Sequence, residues 1–280
     1  MDIILTGIPR SGTTLACSLL NRLPQSIALN EPIQPGNLPA DGDAAACLET
    51  IGAYFAAQRT RLLEHGLATS KAKDGRVPDN PFGTARGADG LRSSTVKLGD
   101  VRFDKPLDPG FRLVIKQPAL FTATLPVLLT RFPAFAIVRN PLPVLLSWHS
   151  VRVPASAGRL PFAEAFDPAL KSFLDAEPDR IARQLGIMRW CYSRYATLLP
   201  ESHVIRYEDL VASHGRALRV IDPAADSLDQ PLESRNANAL YDASMVRCLA
   251  DRLLADESIY AGFYSSSDIE AARDRWSGSH

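Results

Sequence analysis

The chain enters at once on "DIILT" (residues 2–6), then "GIPRSGTT" (7–14), then "TTLACSLLNRL" (13–23). A short apolar run fits a buried strand, and Leu15, Leu19 and Leu20 recur at helical spacing. Between them lies a loop with glycines at Gly7 and Gly12, so this stretch must fold as strand, loop and helix. The glycine spacing is that of the triphosphate loop G-x-x-x-x-G-K-[ST]. Thr13 stands where its lysine belongs, and the cation is instead Arg10, inside the loop. A glycine loop opening a helix turns several unpaired backbone N–H groups toward one point, where the helix terminus adds roughly half a positive charge. Ser11, Thr13 and Thr14 can add hydroxyl donors. The expected guest is an anionic tetrahedral group.

The rest of the chain repeats the strand–helix alternation. "SIALNEP" reads as a strand ending at Glu31, and residues 41–65 as a long helix with Gly66 as its stop. "FRLVIKQP" is a strand ending at Lys116, followed by a helix interrupted at Pro126. "AFAIVRNP" is a strand ending at Arg139, and "PLPVLLSWHSVRV" opens a helix with prolines where a first turn tolerates them. Residues 178–199 form a long amphipathic helix, "HVIRYEDL" is the last strand, and helical segments follow around a loop near 221–236. Residues 67–110, rich in Gly, Pro, Lys and Asp, have no clear period and read as a lid or binding insertion. The expectation is an α/β fold: a three-layer sandwich around a central, mostly parallel sheet of about five strands. A length of 280 residues suits one such domain over 1–280.

In such sheets ligands bind at the C-terminal strand ends. Those ends carry Arg10 in its loop, Glu31, Lys116, Arg139 and Tyr207. Ser147 follows Arg139 by eight positions, and the pair is suited to clamp a second phosphate through a forked guanidinium and a hydroxyl. A ligand with two separate anionic ends therefore fits better than a simple triphosphate. Triphosphate chemistry would want the missing lysine and a strand-end aspartate for Mg²⁺; Glu208 and Asp209 lie past the strand end. Lys+Arg and Asp+Glu number 31 each, which argues against nucleic-acid binding by bulk charge. Cys17, Cys47, Cys191 and Cys248 form no C-x-x-C pair and read as reduced thiols, with no metal site. No apolar run of about 18 residues and no signal sequence is present, so a cytoplasmic protein without a membrane span is expected.

"GIPRSGTTL" resembles the 5′-phosphosulfate loop of sulfotransferases that use 3′-phosphoadenosine 5′-phosphosulfate (PAPS). "VRNPLPVLLS" resembles their 3′-phosphate motif, and "IRYEDL" a strand-end motif that often follows. The three occur in the family's order, and residues 67–110 match nothing in it. Cytosolic steroid and phenol sulfotransferases have a lysine in the loop and a catalytic histidine after the third strand. Here that histidine's place is taken by Pro118. The "PRSGTT" loop and "KQP" are more similar to the tyrosylprotein and carbohydrate types, whose glutamate base and lysine correspond to Glu31 and Lys116.

The resemblance implies a P-loop-type fold and a sulfotransferase. It implies PAPS as co-substrate, held by Pro9, Arg10, Ser11, Gly12, Thr13, Thr14, Arg139, Ser147 and Tyr207, with no metal. Glu31 is the candidate base, with burial expected to raise its pKa. Arg10 and Lys116 are the groups that stabilise the leaving oxygen. The acceptor is expected to be a hydroxyl, less readily an amine, of a small molecule or carbohydrate; the mixed charges of 67–110 lean toward a polar one. Ser234, Arg235 and Asn236 are further residues able to reach the cofactor, while His149, Trp148, Trp190 and Trp276 read as structural. A kinase or triphosphatase with a degenerate loop and a non-catalytic nucleotide-binding module stand as alternatives.

Overall fold

A computed structural model describes residues 1–39, 43–236 and 241–277. Its first half runs β1 (Asp2–Gly7), α1 (Thr13–Leu20), β2 (Ser26–Asn30), α2 (Ala44–His65), β3 (Leu67–Ala72), β4 (Phe82–Arg86), β5 (Arg92–Ser94), β6 (Lys97–Arg102) and β7 (Arg112–Lys116). There follow α3 (Pro118–Ala123), α4 (Leu125–Leu128), β8 (Ala134–Val138), α5 (Pro141–Trp148), α6 (Pro161–Glu164), α7 (Pro168–Ala176) and α8 (Arg180–Leu198). The chain closes with β9 (Val204–Arg206), α9 (Tyr207–Ala212), α10 (Ala243–Leu254) and α11 (Ser266–Ser277). Asp41 and Gly42, the first residues of the helix expected over 41–65, lie outside the described residues.

Five strands form one sheet in the order β2-β7-β1-β8-β9, and every neighbouring pair is parallel. These are the five strands the alternation foretold. They read as apolar runs because both faces are covered. Along β1 the side chains alternate: Ile4 joins the cluster under α2, α3, α5 and α8, whereas Ile3 and Leu5 join the one under α1 and α9. The same alternation splits Leu113 and Ile115 from Val114 on β7, and Ala136 from Ile137 on β8. The result is a three-layer α/β sandwich.

The helices begin and end for local reasons. The Asp43 side chain accepts from Ala45 N at 2.8 Å to open α2, which Gly66 stops in the left-handed region at φ 65. The interruption expected at Pro126 is real: α3 gives out at Thr124 and Pro126 sits in the first turn of α4.

Within the insertion expected over 67–110, residues 67–102 are more regular than their lack of period suggested. They form two antiparallel ribbons, β3 with β6 and β4 with β5. β3–β6 hides only part of each strand, with Ala68, Ser70 and Val101 buried. Such half-exposed, charge-rich strands have no continuous apolar run to announce them.

Candidate functional site

Strand register brings the site together. Leu5 pairs with Lys116, and Lys116 pairs with Asn30, so Glu31 follows directly beside Lys116. The Glu31 N–H donates to the Lys116 carbonyl at 2.8 Å, which extends the ladder one residue past β2. On the other side Gly7 pairs with Ile137 and Val138 with Arg206, which sets Arg139 beside Tyr207 at the same edge. A cavity of about 920 Å³ opens there, lined among others by Arg10, Thr14, Glu31, Lys116, Arg139 and Tyr207.

The loop is held from behind. Gly7 must be glycine: a Cβ would lie 2.5 Å from the Ile137 carbonyl oxygen. Gly12 sits at φ 100, and a Cβ there would meet the Tyr207 ring at 2.6 Å. Ser11 Oγ donates to the Ile137 carbonyl at 2.7 Å, so its hydroxyl serves the fold and only its backbone is left for a ligand. The Trp148 indole donates to the Pro9 carbonyl at 2.8 Å, a task beyond the packing role its sequence suggested. No side chain caps the start of α1 at Gly12, so none competes with an anion for its first-turn N–H groups.

Arg10, itself at φ 77, lays its guanidinium 4.5 Å from the centre of the Phe82 ring. It donates to Ser147 Oγ at 3.1 Å and to Asn80 Oδ1 at 3.3 Å. Ser147 thus meets Arg10 rather than Arg139. Arg139 directs its donors to Asn236 Oδ1 at 2.7 Å, the Arg10 carbonyl at 3.0 Å and the Arg235 carbonyl at 2.6 Å. Its guanidinium also lies 4.3 Å from the centre of the Tyr207 ring, and the Tyr207 hydroxyl accepts from Arg235 N at 3.0 Å. Every oxygen on these two arginines is neutral, and neither forms an ion pair among the described residues. Burial, reinforced by repulsion from Arg139, brings Arg10 down to about 9. Two cations held together without a carboxylate are electrostatically poised for an anion.

The other end of the site is a charge cluster. Lys116, 4% exposed, donates to Glu31 Oε1 at 2.5 Å, Asn30 Oδ1 at 3.1 Å and Thr14 Oγ1 at 3.4 Å. Lys71 donates to Glu31 Oε2 at 2.8 Å. Burial pushes the Glu31 carboxyl up, as its sequence position suggested, but the two ammonium groups outweigh it. The net result is a carboxyl lowered from its ordinary value to about 2, opposite to the rise expected. Lys71 was missed in the sequence, because it lies on a ribbon strand that matches no motif; only its alternation with buried Ser70 hints that it stands on a defined face.

Of the other expected residues, Asn236 and Arg235 do reach Arg139, whereas Ser234 stays local, its Oγ accepting from Asn236 N at 3.3 Å. His149 pairs with Gln184 at 2.9 Å and is held below its ordinary pKa by burial. The insertion adds Phe82 and Val96 to a cavity wall that also includes Val153, Leu160 and Phe162, so it is less uniformly polar toward the cleft than its composition implied. Among the described residues no group of three or more His, Cys, Asp or Glu is placed to hold a metal ion, and no helix is long and apolar enough to cross a membrane.

No known family's sequence model matches the chain, and no curated protein matches it. Among solved structures it is similar to the sulfotransferase STF1 from Mycobacterium tuberculosis H37Rv, at 13% identity and a TM-score of 0.32, covering 99% of this chain and 76% of that one. A likeness so distant adds no weight, and the functional reading rests on the site's own residues.

Proposed function

We propose that the protein is a sulfotransferase that moves a sulfuryl group from PAPS to a hydroxyl of a small-molecule or carbohydrate acceptor. The observation that carries this reading is the pair Arg10 and Arg139: two partly or wholly buried cations, free of ion pairs among the described residues, beside an uncapped glycine loop. A nucleotide with a 5′-phosphosulfate and a 3′-phosphate has one anion for the loop with Arg10 and one for Arg139. Pro9, Arg10 with its partner Ser147, Ser11 backbone, Gly12, Thr13 and Thr14 would hold the first; Arg139 and the segment at Arg235 and Asn236 would hold the second. Tyr207 would offer its ring edge to the adenosine.

Sulfuryl transfer asks for alignment and charge stabilisation. Lys116 touches both Thr14 on the loop and Glu31, so one ammonium spans the leaving side and the base. As the sulfur–oxygen bond to the 5′-phosphate breaks, Arg10 and Lys116 offset the charge left on that oxygen, at about 3 kcal/mol for each well-placed donor. The bond from sulfur to the acceptor oxygen forms, and the acceptor's proton passes to Glu31. The walls at Phe82, Val96, Val153, Leu160 and Phe162 favour an acceptor that carries its hydroxyl on a frame with an apolar face.

Calorimetric titration with adenosine 3′,5′-bisphosphate (PAP) in the presence of EDTA tests the reading. Binding is expected, and Arg139→Ala should weaken it at least tenfold, the loss of a charged hydrogen-bonding fork. Binding of ATP with Mg²⁺ but not of the bisphosphate would overturn the proposal in favour of phosphoryl chemistry.

A further inference from the structure

Glu31 poses a problem for the reaction just proposed. A carboxylate with an ammonium on each oxygen is a poor proton acceptor, because both positive charges oppose protonation. One lysine must leave before the base can work, and the two are not equivalent. Lys116 is anchored at the end of β7, its side chain 5% exposed, with Asn30 and Thr14 as further partners. Lys71 has a side chain 34% exposed, and among the described residues its ammonium makes one hydrogen bond, that to Glu31 Oε2. It stands on β3, in the ribbon outside the central sheet, on a flexible four-carbon stem that lines the same cavity. Cys17 of α1 also senses Glu31, but burial pushes its thiol up to about 12, so it stays neutral and cannot replace a lysine.

Resting on the PAPS reading above, we propose that Lys71 is an exchangeable cation. It holds Glu31 Oε2 while the cleft is without an anion and transfers to the sulfonate oxygens of the bound donor. The exchange frees Oε2 to take the acceptor's proton as the sulfur–acceptor bond forms and the sulfur–phosphate oxygen bond breaks, the electron pair leaving on the 5′-phosphate. The sulfonate supplies the negative charge that Lys71 gives up, so the ammonium is never left unpaired. A base that is released only when the donor is present keeps Glu31 from acting in an empty cleft.

The discriminating measurement compares two nucleotides that differ by the sulfonate alone. PAP and PAPS are titrated by calorimetry, without acceptor, into wild type, Lys71→Met and Lys71→Arg. Lys71→Met should bind PAP as wild type does, which also certifies its fold, and should bind PAPS about tenfold more weakly, the loss of one charge-assisted contact. Lys71→Arg should restore most of the PAPS affinity. Equal weakening toward both nucleotides would make Lys71 a structural residue of the ribbon and overturn the proposal; so would unchanged PAPS affinity. If wild type binds neither nucleotide, the PAPS reading itself falls and the exchange with it, a failure visible before any variant is compared.

Discussion

Glu31 is the residue at which burial and charge pull in opposite directions. It occupies the left-handed region at φ 45, a conformation costly for a residue other than glycine, and the backbone bond to Lys116 keeps it there. Its carboxyl is lowered from 4.5 to about 2, so the folded state favours the ionised form. The sign follows from linkage: a depressed carboxyl pKa stabilises the fold above its unfolded value, and that contribution is lost as pH falls through the folded value. Wild type should therefore be more stable than Glu31→Gln between pH 5 and 7, by chemical denaturation, and the gap should close between about 4.5 and 2. A gap independent of pH would show that the carboxylate is not held by the lysines. In the proposed reaction the same variant should lose roughly 10²–10⁴-fold in turnover while still binding PAP, the loss expected when a general base is removed.

At the scale of elements, the loop between β1 and α1 is the tightest constraint. Gly12→Ala would force a non-glycine residue to φ 100 and drive its Cβ into the Tyr207 ring. Stability should fall by about 1–3 kcal/mol, and PAP affinity should drop with it, since the shift displaces the first turn of α1. Thermal unfolding and calorimetry on the one variant check both; a protein of unchanged stability would mean that Tyr207 yields freely. The sequence made this element legible because glycine spacing encodes backbone geometry directly. It also made Glu31, Lys116 and Arg139 legible, because in a parallel sheet a strand end is a position at the site. It did not reveal that Ser147 meets Arg10, since that depends on the direction α5 takes beyond Asn140 rather than on spacing. Nor did it reveal Lys71, Asn80 or Phe82. Lys71 and Phe82 lie on ribbon strands and Asn80 just before one, and partly buried strands of mixed polarity leave no apolar run to read.

Across the whole molecule, the charge balance is zero in sum but not in place. Three segments far apart in sequence converge on the two arginines. The loop at 7–14 supplies Arg10, the segment at 79–82 presses Asn80 and Phe82 on it, and the segment at 235–236 holds Arg139. Asp79 and Arg235 tie the last two together at 3.1 Å across the mouth of the cleft. Repulsion between Arg10 and Arg139 works against this convergence until an anion neutralises it. PAP at 100 times its dissociation constant should stabilise the fold by about 2.7 kcal/mol, and that energy should not be confined to the loop. Hydrogen exchange should slow in residues 79–86 and 228–236 as well as in 7–14, while α7, which packs on α8 and lends no residue to the cavity wall, keeps its rate. Protection limited to 7–14 would mean that the bisphosphate engages only the glycine loop, and the second anion site would then have to lie elsewhere than at Arg139.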